Sequence, residues 1–210
     1  AIQHPEDGYI QPADLTQALA TGARNKGAEI YRNTTVVGIK QTKNGWIVET
    51  DKGSIECEHV VSCTGNFARQ TGKMVGLEIP VIPVEHQYIV TEPHPEIQKR
   101  KKDGLPEMGV LRDSDTQWYM REEAGGLLLG PYEKGAPCCY VDGPSKDSEY
   151  ELFQEDLERL APHIEGAIHR VPAFGEVGVK KVYNGAICYT PDGNPIVGPA
   201  WGLKNFWINE

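Results

Sequence analysis

The stretch from Thr35 to Ser62, TVVGIKQTKNGWIVETDKGSIECEHVVS, decides how the chain is read. Four β-prone runs lie in it: Thr35 to Gln41, Gly45 to Thr50, Gly53 to Cys57 and His59 to Ser62. Lys43-Asn44-Gly45 and Asp51-Lys52-Gly53 stand between the first three, and Gly-bearing turns between alternating runs are hairpin signals. Antiparallel strands are therefore expected. Thr64-Gly65-Asn66 ends the last run and Phe67 to Val75 can form a helix, which gives a strand, a sharp turn and a helix in succession.

Upstream, Pro12 sits near the first turn of a helix whose Leu15, Ala18, Leu19 and Ala23 recur at helical spacing until Gly27. Glu29 to Tyr31 is a further short β-prone run. Downstream, Val84 to Thr91 reads as a strand, and the charged, Pro-broken stretch from Glu92 to Pro106 as a solvated excursion. Val110 to Arg112, Thr116 to Arg121 and Gly126 to Leu129 suggest a meander. Residues 131 to 147 form a long loop before a helix expected from Ser148 to Leu160, with Phe153, Leu157 and Leu160 on one face. From Val177 to Ile208 the chain reads as strands and tight turns through Asn184-Gly185 and Thr190-Pro191-Asp192-Gly193. The fold class is α+β: a mostly antiparallel or mixed sheet with flanking helices.

Composition narrows the functional classes. The 210 residues, 39% hydrophobic, suffice for one large or two small domains. A net charge of −9 repels phosphate backbones and anionic headgroups, so nucleic acid and membrane surfaces are poor partners. No apolar run approaches the roughly 20 residues of a membrane span, and no signal-peptide pattern opens the chain; a cytoplasmic location is expected. Cys57, Cys63, Cys138, Cys139 and Cys188 form no CxxC pair and no metal-ligand spacing, and are expected to be reduced thiols. No metal site is expected. The chain opens without Met and stops after a strand-like aromatic run, so it reads as an internal piece of a longer protein. Phosphate-cradling, zinc-binding and nucleophile-elbow motifs are absent from the sequence.

Several ordered segments carry a resemblance: Gly8-Tyr9-Ile10-Gln11-Pro12, Thr35 to Ile39, Val60 to Ala68, Pro83-Val84-Glu85-His86-Gln87-Tyr88, Gly126 to Glu133, and Tyr189 to Pro199. Together they resemble the D-amino-acid-oxidase-like flavoprotein family, in its dimethylglycine and sarcosine dehydrogenase branch. The His-Gln-Tyr strand, then Leu-Leu-Gly-Pro-Tyr-Glu, then Tyr-Thr-Pro-Asp-Gly are its most specific parts.

The resemblance implies FAD as cofactor, an N-methylated amino acid as substrate and, in a downstream domain, tetrahydrofolate. It divides the chain into partial FAD-binding segments (1–80), a substrate-binding domain (81–183) and strands returning toward the FAD domain (184–210). The family's Gly-rich pyrophosphate turn and the histidine often bonded to the flavin are not in these residues, so the piece alone is expected to hold FAD weakly and to be inactive. Val36 would approach the adenine through its main chain, and Cys63, Thr64 and Gly65 would line the ribose and pyrophosphate; an ordinary strand and turn are the plainer alternatives.

His86 and Tyr88 share one strand face with Val84 and Val90. The resemblance turns that face toward substrate and makes the pair catalytic, whereas the plainer reading is a buried pair that satisfies itself. Tyr119 and Arg121 share a face by the same arithmetic and would hold the substrate with Tyr189, the guanidinium meeting a carboxylate. An exposed strand Arg is the alternative. Glu133 can simply pair with a neighbouring base, and Asp192-Gly193 is equally a β-turn. Two functional classes remain open beside the amine dehydrogenase: an oxidoreductase of the same fold acting on glycine, proline or a glycerol phosphate, and a cofactor-free binding module.

Overall fold

The computed structural model describes residues 2–149 and 151–210. Along the chain run α1 (Pro12–Asn25), β1 (Val36–Gln41), β2 (Trp46–Thr50), β3 (Gly53–Cys57), β4 (Val60–Ser62), α2 (Ala68–Met74) and β5 (Ile82–Thr91). They are followed by α3 (Pro95–Lys102), β6 (Leu111–Asp113), β7 (Trp118–Glu123), β8 (Gly126–Pro131), α4 (Leu157–Arg170), β9 (Val179–Tyr189), β10 (Val197–Pro199) and β11 (Phe206–Asn209). The architecture is α+β with mostly antiparallel pairing.

The chain divides into two compact units. One comprises residues 11–84, 138–148 and 187–210, the other residues 1–10, 85–137 and 149–186. Two segments, 1–10 and 138–148, thus belong to the unit that a contiguous division of the sequence would not give them.

In the first unit β1, β2 and β3 form an antiparallel sheet in that order, with Gln41 opposite Trp46 and Thr50 opposite Gly53, the registers the two turns impose. A second sheet places β11 between β10 and β4, with β4 and β11 parallel. Ile39, Trp46, Ala68, Leu77, Ile79, Val81, Phe206 and Ile208 are buried as one core. Trp46 meets Phe206 edge-on at 5.2 Å, and its indole N–H donates to the Lys204 carbonyl, so the large ring is buried without stranding its polar atom. Glu29 to Tyr31 forms no strand.

In the second unit the strands are ordered β6-β7-β8-β5-β9. One face of this sheet carries Ile89, Trp118, Met120, Leu127 and Leu129 into a core shared with Ile97, Leu160, Ala167 and Phe174. Two expectations fail here. The stretch from Glu92 to Pro106 contains α3, because His94 accepts the Glu96 N–H as N-cap and buries with Ile97 beneath a run of exposed lysines. The helix expected over Ser148 to Leu160 begins only at Leu157, capped by Asp156 accepting from the Arg159 N–H, and continues through Pro162 to Arg170. Leu160 faces the core, while Leu157 is exposed.

Among the described residues no helix is long and apolar enough to cross a membrane, and no cluster of side chains could hold a metal ion. Cys57, Cys63, Cys138 and Cys188 are free thiols.

Candidate functional site

Alternation along β5 sorts its side chains. Gln87 and Ile89 are fully buried on the core face, so His86 and Tyr88 stand half-buried on the other. On β7, Trp118 and Met120 take the core face and leave Tyr119 and Arg121 opposite. The sheet therefore presents all four residues on its non-core face.

Aromatic rings dominate that surface. Tyr88 stacks on Tyr183 of β9 with ring centroids 4.7 Å apart and planes at 15°. Tyr119 lies 5.8 Å from Tyr132, whose hydroxyl accepts from Arg112. Two cations border the rings: the Arg121 guanidinium is 4.3 Å from the centre of the Tyr9 ring, and Lys181 Nζ is 4.4 Å from that of Tyr183. Arg121 is already engaged, with Glu123 at 2.5 Å and the Glu122 carbonyl at 3.0 Å. Tyr183 and Lys181 escaped the sequence reading. Alternation along β9, with Asn184 buried, turns Tyr183 to the opposite face.

Burial sets the protonation of this surface. It holds the His86 imidazole below its ordinary range, against the pull of the nearby Glu133 carboxylate. It also raises Tyr88, helped by Tyr183 and Glu123, and raises Tyr119. At neutral pH the face thus offers a neutral imidazole, able to accept a proton, beside neutral phenols.

Behind the sheet a polar network fixes β5. Arg159 donates through Nε to Glu133 at 2.9 Å and through its terminal nitrogens to Glu85 at 3.1 Å. Gln87 bonds Glu133 with both its main-chain and side-chain nitrogens and accepts the Asp156 N–H. Asn184 donates to Glu85 at 2.9 Å and to the Gln154 carbonyl. Glu133 therefore pairs with a base, and Asn184 is a buried brace away from the aromatic face.

The remaining candidates belong to the first unit. Val36 is exposed at the start of β1, and the Cys63 side chain is exposed just past β4. Gly65 holds φ at +52°, a conformation other residues adopt at a cost. The main-chain N–H groups of Thr64 and Gly65 both donate to the Glu210 carboxylate, at 2.9 and 2.6 Å, and the Ser62 hydroxyl joins at 2.7 Å. This strand end is an oxyanion cradle filled by an internal carboxylate. Tyr189 is exposed, and Asp192 caps the turn from Thr190 to Asn194.

Residues 1–210 match the DAO family, described as FAD dependent oxidoreductase. The chain belongs to that family. It is 40% identical to dimethylglycine dehydrogenase of Rattus norvegicus over 99% of its own length and 24% of the relative's, and 33% identical to sarcosine dehydrogenase of Mus musculus over 97% and 22%. The fold is similar to that of L-proline dehydrogenase from P. horikoshii, with a TM-score of 0.78, 26% identity and coverage of 98% of this chain and 51% of that one. The chain thus spans about a quarter of the curated relatives' length. Toward the FAD that the family's description names, this strand end offers exposed Val36 and Cys63, while the Thr64 and Gly65 N–H groups are already engaged by Glu210.

Proposed function

We propose that the protein to which this chain belongs oxidises an N-methylated amino acid, dimethylglycine or sarcosine, at the aromatic face of the second unit. The observation that carries this reading is a neutral His86 beside the stacked Tyr88 and Tyr183.

Aromatic faces attract methylated ammonium groups by cation–π interaction, worth about 0.5–2 kcal/mol per ring. The bound amine must then lose its proton, because only the free lone pair assists departure of a hydride from the adjacent carbon. His86, kept uncharged by burial, takes that proton. Tyr88 and Tyr119, whose phenols stay protonated, donate hydrogen bonds and limit water around the amine. Arg121 and Lys181 supply positive charge for the substrate carboxylate, Arg121 by exchanging Glu123. FAD, when bound, supplies the electron acceptor; Val36, Cys63, Thr64 and Gly65 would meet it chiefly through their main chain. The names of the rat and mouse relatives support this substrate class, and the likeness to a proline dehydrogenase favours a cyclic secondary amine such as proline as the second reading.

The test uses the full-length flavoprotein under anaerobic conditions, following flavin absorbance as dimethylglycine, sarcosine, proline and glycine are added in turn. Bleaching by the two methylated substrates, slowed in His86→Ala and Tyr88→Phe, supports the assignment. Bleaching by proline alone moves it to the second reading, and flavin that stays oxidised with all four retires both.

A further inference from the structure

Beneath α3, and separate from His86 and Tyr88, the second unit holds a cavity of about 290 Å³ that is partly open to solvent. Ile97, Met120, Leu127 and Val171 give it an apolar wall, and His94 and Arg100 are its notable polar residues. Its size sits at the lower edge of the roughly 300–1,000 Å³ usual for small-molecule sites.

The two polar residues are incompletely satisfied. His94 is almost fully buried, and its Nδ1 accepts the Glu96 N–H, which leaves the proton on Nε2. Among the described residues that Nε2 has no hydrogen-bond partner; the Glu176 carboxylate lies 3.6 Å away, beyond hydrogen-bonding range. Arg100 spends one terminal nitrogen on the Pro106 carbonyl, while its Nε is buried without a partner. Arg100 makes no ion pair among the described residues, whereas Arg121, which also borders the cavity, is paired with Glu123. Glu122, another bordering group, accepts the Met108 N–H. Glu96 and Glu122 also line it, yet neither accepts from His94 Nε2 or Arg100 Nε. Two buried donors, one on an unpaired cation, against an apolar wall call for a ligand with an anionic head and a short apolar body.

We propose that this cavity is a second binding site, for a small amphipathic carboxylate. It shares only Arg121 with the amine-oxidising face and does not rest on any substrate assignment there. The carboxylate accepts from Arg100 Nε and His94 Nε2, and the hydrocarbon lies along Ile97, Met120 and Leu127.

The test is calorimetric titration of the full-length flavoprotein with sodium octanoate, 1-octanol and octylammonium chloride. Octanoate is expected to bind with one equivalent, at least about tenfold more tightly than octanol, and to weaken about tenfold in Arg100→Met. Ala173→Phe, which fills the cavity from its lining, is expected to abolish binding while thermal unfolding of the holoprotein is unchanged; it answers the question if Arg100→Met fails to fold. Tyr88→Phe is expected to leave octanoate affinity intact. The proposal is overturned if octanol or octylammonium binds as well as octanoate, if Tyr88→Phe weakens binding as much as Ala173→Phe, or if no saturable binding occurs.

Discussion

Tyr119 and Gly130 face each other across β7 and β8, and the tyrosine ring lies directly over the glycine. A Cβ on Gly130 would stand 2.1 Å from the ring's Cζ and 2.4 Å from its hydroxyl oxygen. The glycine is therefore a seat for the ring. Because the obstructing atoms are the far end of a side chain, Gly130→Ala is expected to push Tyr119 aside with little damage to the sheet. Stability should fall by about 1 kcal/mol, the lower end of overpacking costs, while apparent substrate affinity falls as in Tyr119→Ala. A urea melt with steady-state kinetics checks both. Adding Gly130→Ala to Tyr119→Ala should cost nothing further in affinity, since the two changes remove the same contact.

Among the described residues Arg159 is the one cation paired with Glu133, almost fully buried, and with Glu85, and it also lies 3.6 Å from Asp156. Removing it leaves the buried Glu133 and the partly exposed Glu85 without their cation behind β5. Arg159→Met is expected to destabilise the fold by about 3 kcal/mol or more, by analogy with other broken buried pairs. Glu133→Gln, which keeps an acceptor and relieves one charge, should cost less. Chemical denaturation of both variants checks the order; equal losses would mean that packing, and not the uncompensated charge, sets the cost.

The contrast between these residue pairs shows what was legible in the sequence. The hairpins of β1 to β3 were readable because Lys43-Asn44-Gly45 and Asp51-Lys52-Gly53 fix their registers locally. Period-two alternation likewise placed His86 with Tyr88, and Tyr119 with Arg121. That these pairs share one surface depends on strand order, which joins residues far apart in sequence. The Glu85–Glu133–Arg159 network was hidden for the same reason. α3 was missed because its lysines outnumber the buried Ile97, so average polarity masked a narrow apolar stripe. α4 was misplaced because Phe153, Leu157 and Leu160 fit helical spacing, although the cap at Asp156 and the tolerance of Pro162 decide where the helix lies.

His86 gives a pH dependence whose sign follows from its burial. Its folded pKa lies below the ordinary value of about 6.5. Between that value and the lower folded one, the unfolded chain binds a proton that the folded chain refuses. Stability from this group is thus intact above about pH 6.5 and declines as pH falls through the window, becoming constant below the folded pKa. His86→Asn should flatten that part of the stability profile, measured by thermal melts from about pH 8 to 5. The acidic limb of kcat/KM in the full-length enzyme should also lie below pH 6.5 and vanish in the variant. An acidic limb unchanged in His86→Asn would assign proton acceptance to another group.

Glu210 bears on the cofactor through shape. Its carboxylate accepts from the Ser62 hydroxyl and from the Thr64 and Gly65 N–H groups, which holds Gly65 at positive φ. Glu210→Ala strands these donors, at about 1–3 kcal/mol for each one left buried without a partner. Glu210→Gln keeps one acceptor oxygen and replaces the other with a donor that opposes an N–H, so it should restore part of the loss. If the braced turn is what the cofactor meets, FAD affinity of the full-length apoprotein should fall in the same order, wild type above Glu210→Gln above Glu210→Ala. Flavin fluorescence quenching on reconstitution measures that affinity, and circular dichroism reports whether the fold survives. An Ala variant that folds and binds FAD as the wild type does would separate the turn from the cofactor and leave Glu210 a purely structural role.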